Sequence, residues 1–152
     1  MLSTESAVLE HAYARYRADI YAFVLSGTRN RDEAEDLTQQ TFVDAAAALS
    51  RGASPRAMRG WLFTVAARRI ADELRRRAKR PLVEPRVYDE LPPSSDAFDR
   101  LAPAERVILF LRFAADCTHA EIAAAVGCSE AASKMRVSRT LARLRRELAA
   151  DM

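Results

Sequence analysis

The chain is poor in cysteine, glycine and proline, with 2, 4 and 6 of them among 152 residues. Two cysteines make no disulfide framework, and a reducing cytoplasm is the natural setting. So few glycines and prolines argue against an all-β chain, which needs many tight turns. Long apolar runs are missing as well. The longest strongly apolar stretch, Val107 to Leu111, falls far short of the roughly 20 residues that span a bilayer, so no membrane insertion is expected. The N-terminus has no basic start followed by an apolar stretch, and a signal peptide is not expected. No phosphate loop, Ser/His/Asp constellation or pair of catalytic carboxylates stands out, so an enzyme is not expected. Cys117, Cys128 and His119 lie near one another in sequence, but four ligands with Cys-x-x-Cys spacing are absent, and neither a metal nor a cofactor is expected. What remains is a globular balance of 49% hydrophobic and 30% charged residues. The net charge of +3, from 24 Lys and Arg against 21 Asp and Glu, conceals a segregation: arginine gathers in two places and acid in two others.

The periodicity is helical throughout. Leu9, Tyr13, Tyr16, Ile20 and Phe23 recur at steps of four and three, on one stripe of a first helix. Gly27 to Asn30 breaks it. A second helix starts near Asp32 with acid in its first turns, where the macrodipole favours it. Its apolar side is Leu37, Thr41, Ala45 and Ala48, with Phe42 and Leu49 beside it. A loop from about Ser50 to Arg56 leads to a third helix reaching about Lys79, with Leu62, Ala66, Ile70 and Leu74 on its buried side and Trp61 as a core anchor. Pro81, Pro85, Pro92 and Pro93 deny a helix between 81 and 96, which reads as an extended, acidic linker. Helices resume with Pro103 in a first turn and Val107, Phe110, Leu111 and Ala114 on one face. Thr118 and Glu121 form a capping box, Gly127 suits a left-handed C-cap, and Ser129 caps a last helix to about Leu148, with Val137, Leu141, Leu144 and Leu148 as its buried stripe. The expected fold is all-α, with helical domains at 1–80 and 97–152 joined by the linker 81–96.

Three constellations carry function. Thr118 to Arg146 has the cap, short helix, turn, cap and longer helix of a helix-turn-helix. Its second helix bears Lys134, Arg136, Arg139, Arg143, Arg145 and Arg146 against only Glu130 and Glu147, and opens with the small Ala131, Ala132 and Ser133. Such a helix enters a major groove by its N-terminal turns while the basic remainder meets phosphate. The run Arg68, Arg69, Arg75, Arg76, Arg77, Lys79 and Arg80 forms a second basic face, suited to phosphate or, more blandly, to solvent at a helix C-terminus. The acidic, amide-rich start of the second helix, from Asp32 through Thr38, Gln39, Gln40 and Asp44, repels DNA and suits a basic protein surface.

Together these stretches resemble the extracytoplasmic-function group of bacterial RNA polymerase sigma factors, over nearly the whole chain from about His11 to Leu148. "RDEAEDLTQQTFVDAAAAL" (31–49) is similar to the helix that this family docks on the clamp helices of the polymerase β′ subunit. "RGWLFTVAARRIADELRRRAKR" (59–80) is similar to its helix for promoter melting and the −10 element. The stretch 101–148 is similar to the helix-turn-helix that reads the −35 element. The resemblance implies polymerase contacts at Asp36, Gln39 and Gln40, with Phe42 mainly as packing. It implies a loop from Ser50 to Arg56, including Arg51, that holds a flipped base. It implies backbone contacts near −10 from Arg68, Arg69, Arg75 and Arg76, and −35 contacts from Ser133, Lys134, Arg136, Arg139 and Arg143. It also implies the core polymerase (β′ clamp helices and β flap), promoter DNA and an anti-sigma factor as partners. The chain departs from the family pattern at Ala67-Arg68-Arg69, where Ala-Arg-Asn is usual, at Ala46 in place of an aromatic, and at Ser133 and Met135, where an apolar and a small polar residue are common. Two other readings compete: a stand-alone helix-turn-helix regulator that binds duplex without melting it, and a protein-interaction module with incidental arginines. The acidic docking helix is the feature that a plain regulator does not need.

Overall fold

The computed structural model describes residues 4–79 and 97–152, and the linker expected at 81–96 lies outside the described residues. Among the described residues six α-helices run in the order α1 (Thr4–Thr28), α2 (Arg31–Ser50), α3 (Met58–Lys79), α4 (Pro103–Phe113), α5 (His119–Val126) and α6 (Glu130–Ala150), with one 3-10 turn at Phe98–Arg100 before α4. The all-α expectation holds. No helix among the described residues is long and apolar enough to cross a membrane.

Each boundary has a local cause. Arg29 takes a left-handed φ of 55° after α1, and Asn30 then caps α2 by accepting from the Glu33 N–H at 3.0 Å. Thr118 accepts from the Glu121 N–H at 3.1 Å while the Glu121 carboxylate accepts from the Thr118 N–H at 2.9 Å. That is the reciprocal capping box expected from the sequence. Gly127 closes α5 in the left-handed region at φ 79°, and Ser129 accepts from the Ala132 N–H at 3.1 Å to start α6. At the far end of α6, Arg100 of the 3-10 turn reaches Glu147 at 3.1 Å and Asp151 at 2.8 Å.

α1, α2 and α3 pack together as one unit; α4, α5 and α6, the second, pack as closely on α1 and α3 as on one another. The two units share one hydrophobic cluster. Ile20, Phe23, Leu62, Phe63 and Ile70 from the first join Val107, Ile108, Leu111 and Ile122 from the second. The Phe110 ring sits between them, 4.7 Å from Phe23 and 5.3 Å from Phe63 by centroid. Gly27 lets α4 come close, since a Cβ there would stand 3.2 Å from Val107 Cγ2.

Several expected stripes are displaced. Thr38, read as part of a polar surface, is buried and donates to the Ala34 carbonyl at 2.6 Å. Tyr13 is exposed yet stacks edge-on against Phe42 at 4.9 Å. Ala114 and Leu148 are exposed, because the chain turns at the first and the second lies near the free end of α6. Nothing in the linear pattern marks Arg106, which is only 3% exposed. Its guanidinium donates from Nε to the Ser26 carbonyl at 2.5 Å, and from Nη1 to Asp99 O at 3.2 Å and to Leu101 O. A buried cation is tolerable only when its donors are so satisfied. Burial, reinforced by the nearby Arg29 charge, pulls its pKa below the usual arginine value.

Candidate nucleic-acid interface

The acidic handle is the outer face of α2. Asp32, Asp36, Gln39 and Val43 share one face by helical spacing and all are exposed. Val43, 58% exposed, was not singled out from the sequence; an apolar side chain within a polar stripe is the signal that could have found it. Phe42 lies on the other side, buried against α1, as expected of a packing residue. Gln40 turns sideways. It donates to Asp44 at 3.1 Å, and Asp44 takes a two-pronged ion pair from Arg69 of α3, Nη2 to Oδ1 at 2.6 Å and Nε to Oδ2. The Arg69 hydrogen bond is the largest influence on Asp44 and holds its carboxyl below the usual value despite partial burial.

The basic face of α3 is more neutralised than the expectation had it. Arg69 is spent on Asp44, Arg75 pairs with Asp72, and Arg76 pairs with Glu73 at 2.8 Å. Arg77 binds Glu33 of α2. In the linear stretch only Asp72 and Glu73 stand against these arginines, because carboxylates from another helix do not show there. Arg68 is exposed, and no carboxylate pairs with it among the described residues. Ser50 ends α2 and donates to Ala47 O at 3.0 Å. Arg51 and Arg56 are exposed at either end of the following loop, where Gly52 turns the chain at φ 98°. The loop borders a cleft of about 730 Å³ lined by Arg56, Arg59, Trp61, Asp116, Cys117 and Glu121. Trp61 is half-buried and thus both packs on the core and walls this cleft.

In the helix-turn-helix, α6 presents Ala131, Lys134, Met135, Ser138 and Arg139 on its open side, all exposed. Met135, 53% exposed, and Ser138 lie with the expected Lys134 and Arg139. Ser133 is a correction. It is fully buried, and its hydroxyl faces His119 Nδ1 at 3.4 Å, so it holds α6 to α5 and presents nothing to a groove. Arg143 pairs with Glu105 of α4 at 2.8 Å. Arg136 is exposed but lies beside a groove of about 400 Å³ that also takes Arg75, Glu105 and Thr140. A second groove of about 520 Å³, between α4 and α6, is lined by Phe98, Leu109, Phe113, Leu141 and Leu144. Cys117 is buried, and desolvation, aided by Glu121 and Asp116, raises its thiol pKa to about 11.

Comparison with known proteins fits these two units. The Sigma-70 region 2 family matches residues 12–80, and the Sigma-70 region 4 family matches residues 95–144. The chain is 24% identical to RNA polymerase sigma factor SigV of Bacillus subtilis over 95% of its length and 93% of that protein's. It is 30% identical to ECF RNA polymerase sigma factor SigE of Mycolicibacterium smegmatis over 98% of its length, spanning 63% of that protein. Among solved structures it resembles the sigma factor RpoE in complex with the anti-sigma factor NepR from Bartonella quintana, with a TM-score of 0.68 and 25% identity over 94% of this chain and 98% of that one. CnrH, solved with the cytosolic domain of CnrY, shares the fold at a TM-score of 0.61 and 24% identity over 95% and 89%. With both family regions matched in order on the two helical units, the chain belongs to the sigma-70 family of RNA polymerase sigma factors, in its extracytoplasmic-function group.

Proposed function

We propose that the chain directs core RNA polymerase to specific promoters, reading the −35 element with α6 and opening the −10 element with α3 and the loop before it. The observation that carries this reading is the sorting of exposed charge: Asp32 and Asp36 on one face of α2, and Lys134, Arg139, Arg145 and Arg146 on α6. The acidic stripe of α2, with Val43 at its C-terminal end, is repelled by DNA and suits a basic, partly apolar helix such as the β′ clamp. The apolar groove between α4 and α6 suits a helix of the β flap, in the way amphipathic helices seat in grooves. The complex of the similar sigma factor RpoE with the anti-sigma factor NepR supports an anti-sigma factor as a further partner of this chain.

No covalent chemistry is required. Lys134 and Arg139 reach base edges or phosphates of duplex DNA, with Met135 and Ser138 between them. Polymerase tethers both modules, so two weak contacts act at high effective concentration. Bases that leave the stack are held at the loop 51–56, and their capture offsets the few kcal/mol of unpairing. Arg68 is best placed to take phosphate on α3; Arg69 acts through its fixed pair with Asp44, and Gln40 supports that pair. The protein works on the cytoplasmic side, where polymerase and chromosome are. The reading is tested by adding the purified chain to core polymerase on a genomic promoter library and sequencing the transcripts. Discrete start sites sharing two upstream elements are expected. Random initiation equal to that of core alone would overturn it.

A further inference from the structure

The proposed function gives Met135 no task of its own, yet the open side of α6 is sorted around it. Ser133, Val137 and Thr140 are buried, which fixes the side of the helix that faces α4 and α5. At about 3.6 residues per turn, Ala131, Met135, Ser138 and Ala142 fall along the middle of the opposite side, and all four are exposed. Lys134 and Arg145 lie along one margin of this strip, Arg139 and Arg146 along the other. The strip is uncharged and both margins are cationic. Arg136 is off the strip, beside the groove it shares with Arg75 and Glu105.

Met135 dominates the strip. Its neighbours there are two alanines and a serine, so nothing bulky stands next to it along the axis. At 53% exposure it is the one large apolar side chain on that side of α6 among the described residues. A scattered exposed methionine is ordinary, but one centred between two rows of cations on a reading helix is not. A helix with its side chains is about 10–12 Å across and the major groove is about 12 Å wide. A helix lying in that groove therefore brings its middle strip to the base edges and its margins to the two rows of phosphate. The groove floor offers donors and acceptors on every base pair, but its apolar group is the C5-methyl of thymine. A thioether has no donor and is only a weak acceptor, so it gains little from the polar edges. Being unbranched, it can settle against a methyl.

We infer that Met135 is a specificity-determining residue of α6 and packs on the C5-methyl of a thymine in the upstream promoter element. The inference rests on the proposed function and deepens it, by giving one position of the −35 element its base. Lys134, Arg139, Arg145 and Arg146 hold the helix in the groove from both sides, and Met135 decides between thymine and the other bases at its position. A small polar residue is common there in the extracytoplasmic-function group, so this preference belongs to the present chain. Removing one methyl from such a contact corresponds to about three- to fivefold in affinity.

Deoxyuridine differs from thymidine by that methyl alone and tests the contact in the holoenzyme of full chain and core polymerase. The probe is a promoter fragment identified by transcript sequencing. Each thymine of its −35 element, on either strand, is replaced in turn by deoxyuridine. One replacement is expected to weaken promoter binding about three- to fivefold. Met135→Ala should bind the unmodified fragment more weakly by a similar factor and lose nothing further with deoxyuridine, the signature of a shared contact. Met135→Leu should keep the discrimination, and helicity should be unchanged in both variants because the side chain is exposed. Indifference to every deoxyuridine, or equal losses in wild type and Met135→Ala, would overturn the contact and leave the sigma role standing. Weaker binding of Met135→Ala to core polymerase, with thymine discrimination intact, would also overturn it and place the side chain against protein. Absence of promoter-directed transcription with the wild-type chain would remove the sigma role and the contact with it.

Discussion

Cys117 and Asp44 show how neighbours set the chemistry of single side chains. Burial raises the Cys117 thiol to about 11, so almost no thiolate exists at pH 8, where an ordinary cysteine is substantially ionised. Alkylation at pH 8 should therefore spare Cys117 in the folded protein and reach it on unfolding; labelling of Cys117 in the native state as fast as in denaturant would contradict its placement. Asp44 is shifted the other way, chiefly by the Arg69 hydrogen bond. Its folded pKa lies below the unfolded 3.8, so the pair's contribution is complete above that pH and is lost as pH falls through the folded value. Asp44→Asn should flatten the stability curve in that acid range and cost about 1 kcal/mol at neutral pH, as suits a half-exposed two-pronged pair. Acid titration followed by circular dichroism measures both. The burial of Cys117 was legible, since it stands where a small apolar residue fills the core; the ion pair of Asp44 was not. The partner of Asp44 lies 25 residues away on another helix, and sequence distance hides such pairs.

At the scale of the element, local chemistry was the most legible part of the chain. Thr118, Glu121, Gly127 and Ser129 act through neighbours within three or four residues, so the sequence reading found the helix-turn-helix with its caps. Gly127→Ala should lower stability by roughly 1–2 kcal/mol, since a side chain at φ 79° is strained. Chemical denaturation would register it as a shifted midpoint with an unchanged slope. What faces outward was less legible. Ser133 was assigned to the groove, but the short α5 packs directly over it. Met135 and Val43 were not assigned to any surface, although both are exposed. On α2, Asp36→Arg should abolish co-purification with core polymerase while leaving helicity unchanged; unaltered assembly would mean that α2 is not the docking surface. On α6, Arg139→Ala should weaken promoter binding by the holoenzyme and reduce its salt slope by about one unit. An unchanged slope would move the DNA contact elsewhere.

At the scale of the molecule, the order of helices followed from periodicity, whereas the packing of α4 and α5 on α1 and α3 did not. Nothing local marks Gly27 as the landing place of Val107, or Arg106 as a buried donor, because both depend on a surface contributed by the other unit. In solution the free chain should scatter with a radius of gyration near 15 Å, and a value above about 20 Å would mean that the units separate on their own. The larger claim is that one chain carries an acidic handle for polymerase and basic surfaces for two promoter elements. Permanganate probing of unpaired thymines on a promoter bound by this chain and core polymerase tests it most directly. Reactive thymines confined to the −10 region, and dependent on both chain and core, are predicted. Protection of duplex by the chain alone, with no reactive thymines when core is added, would instead make it a regulator that binds DNA without opening it.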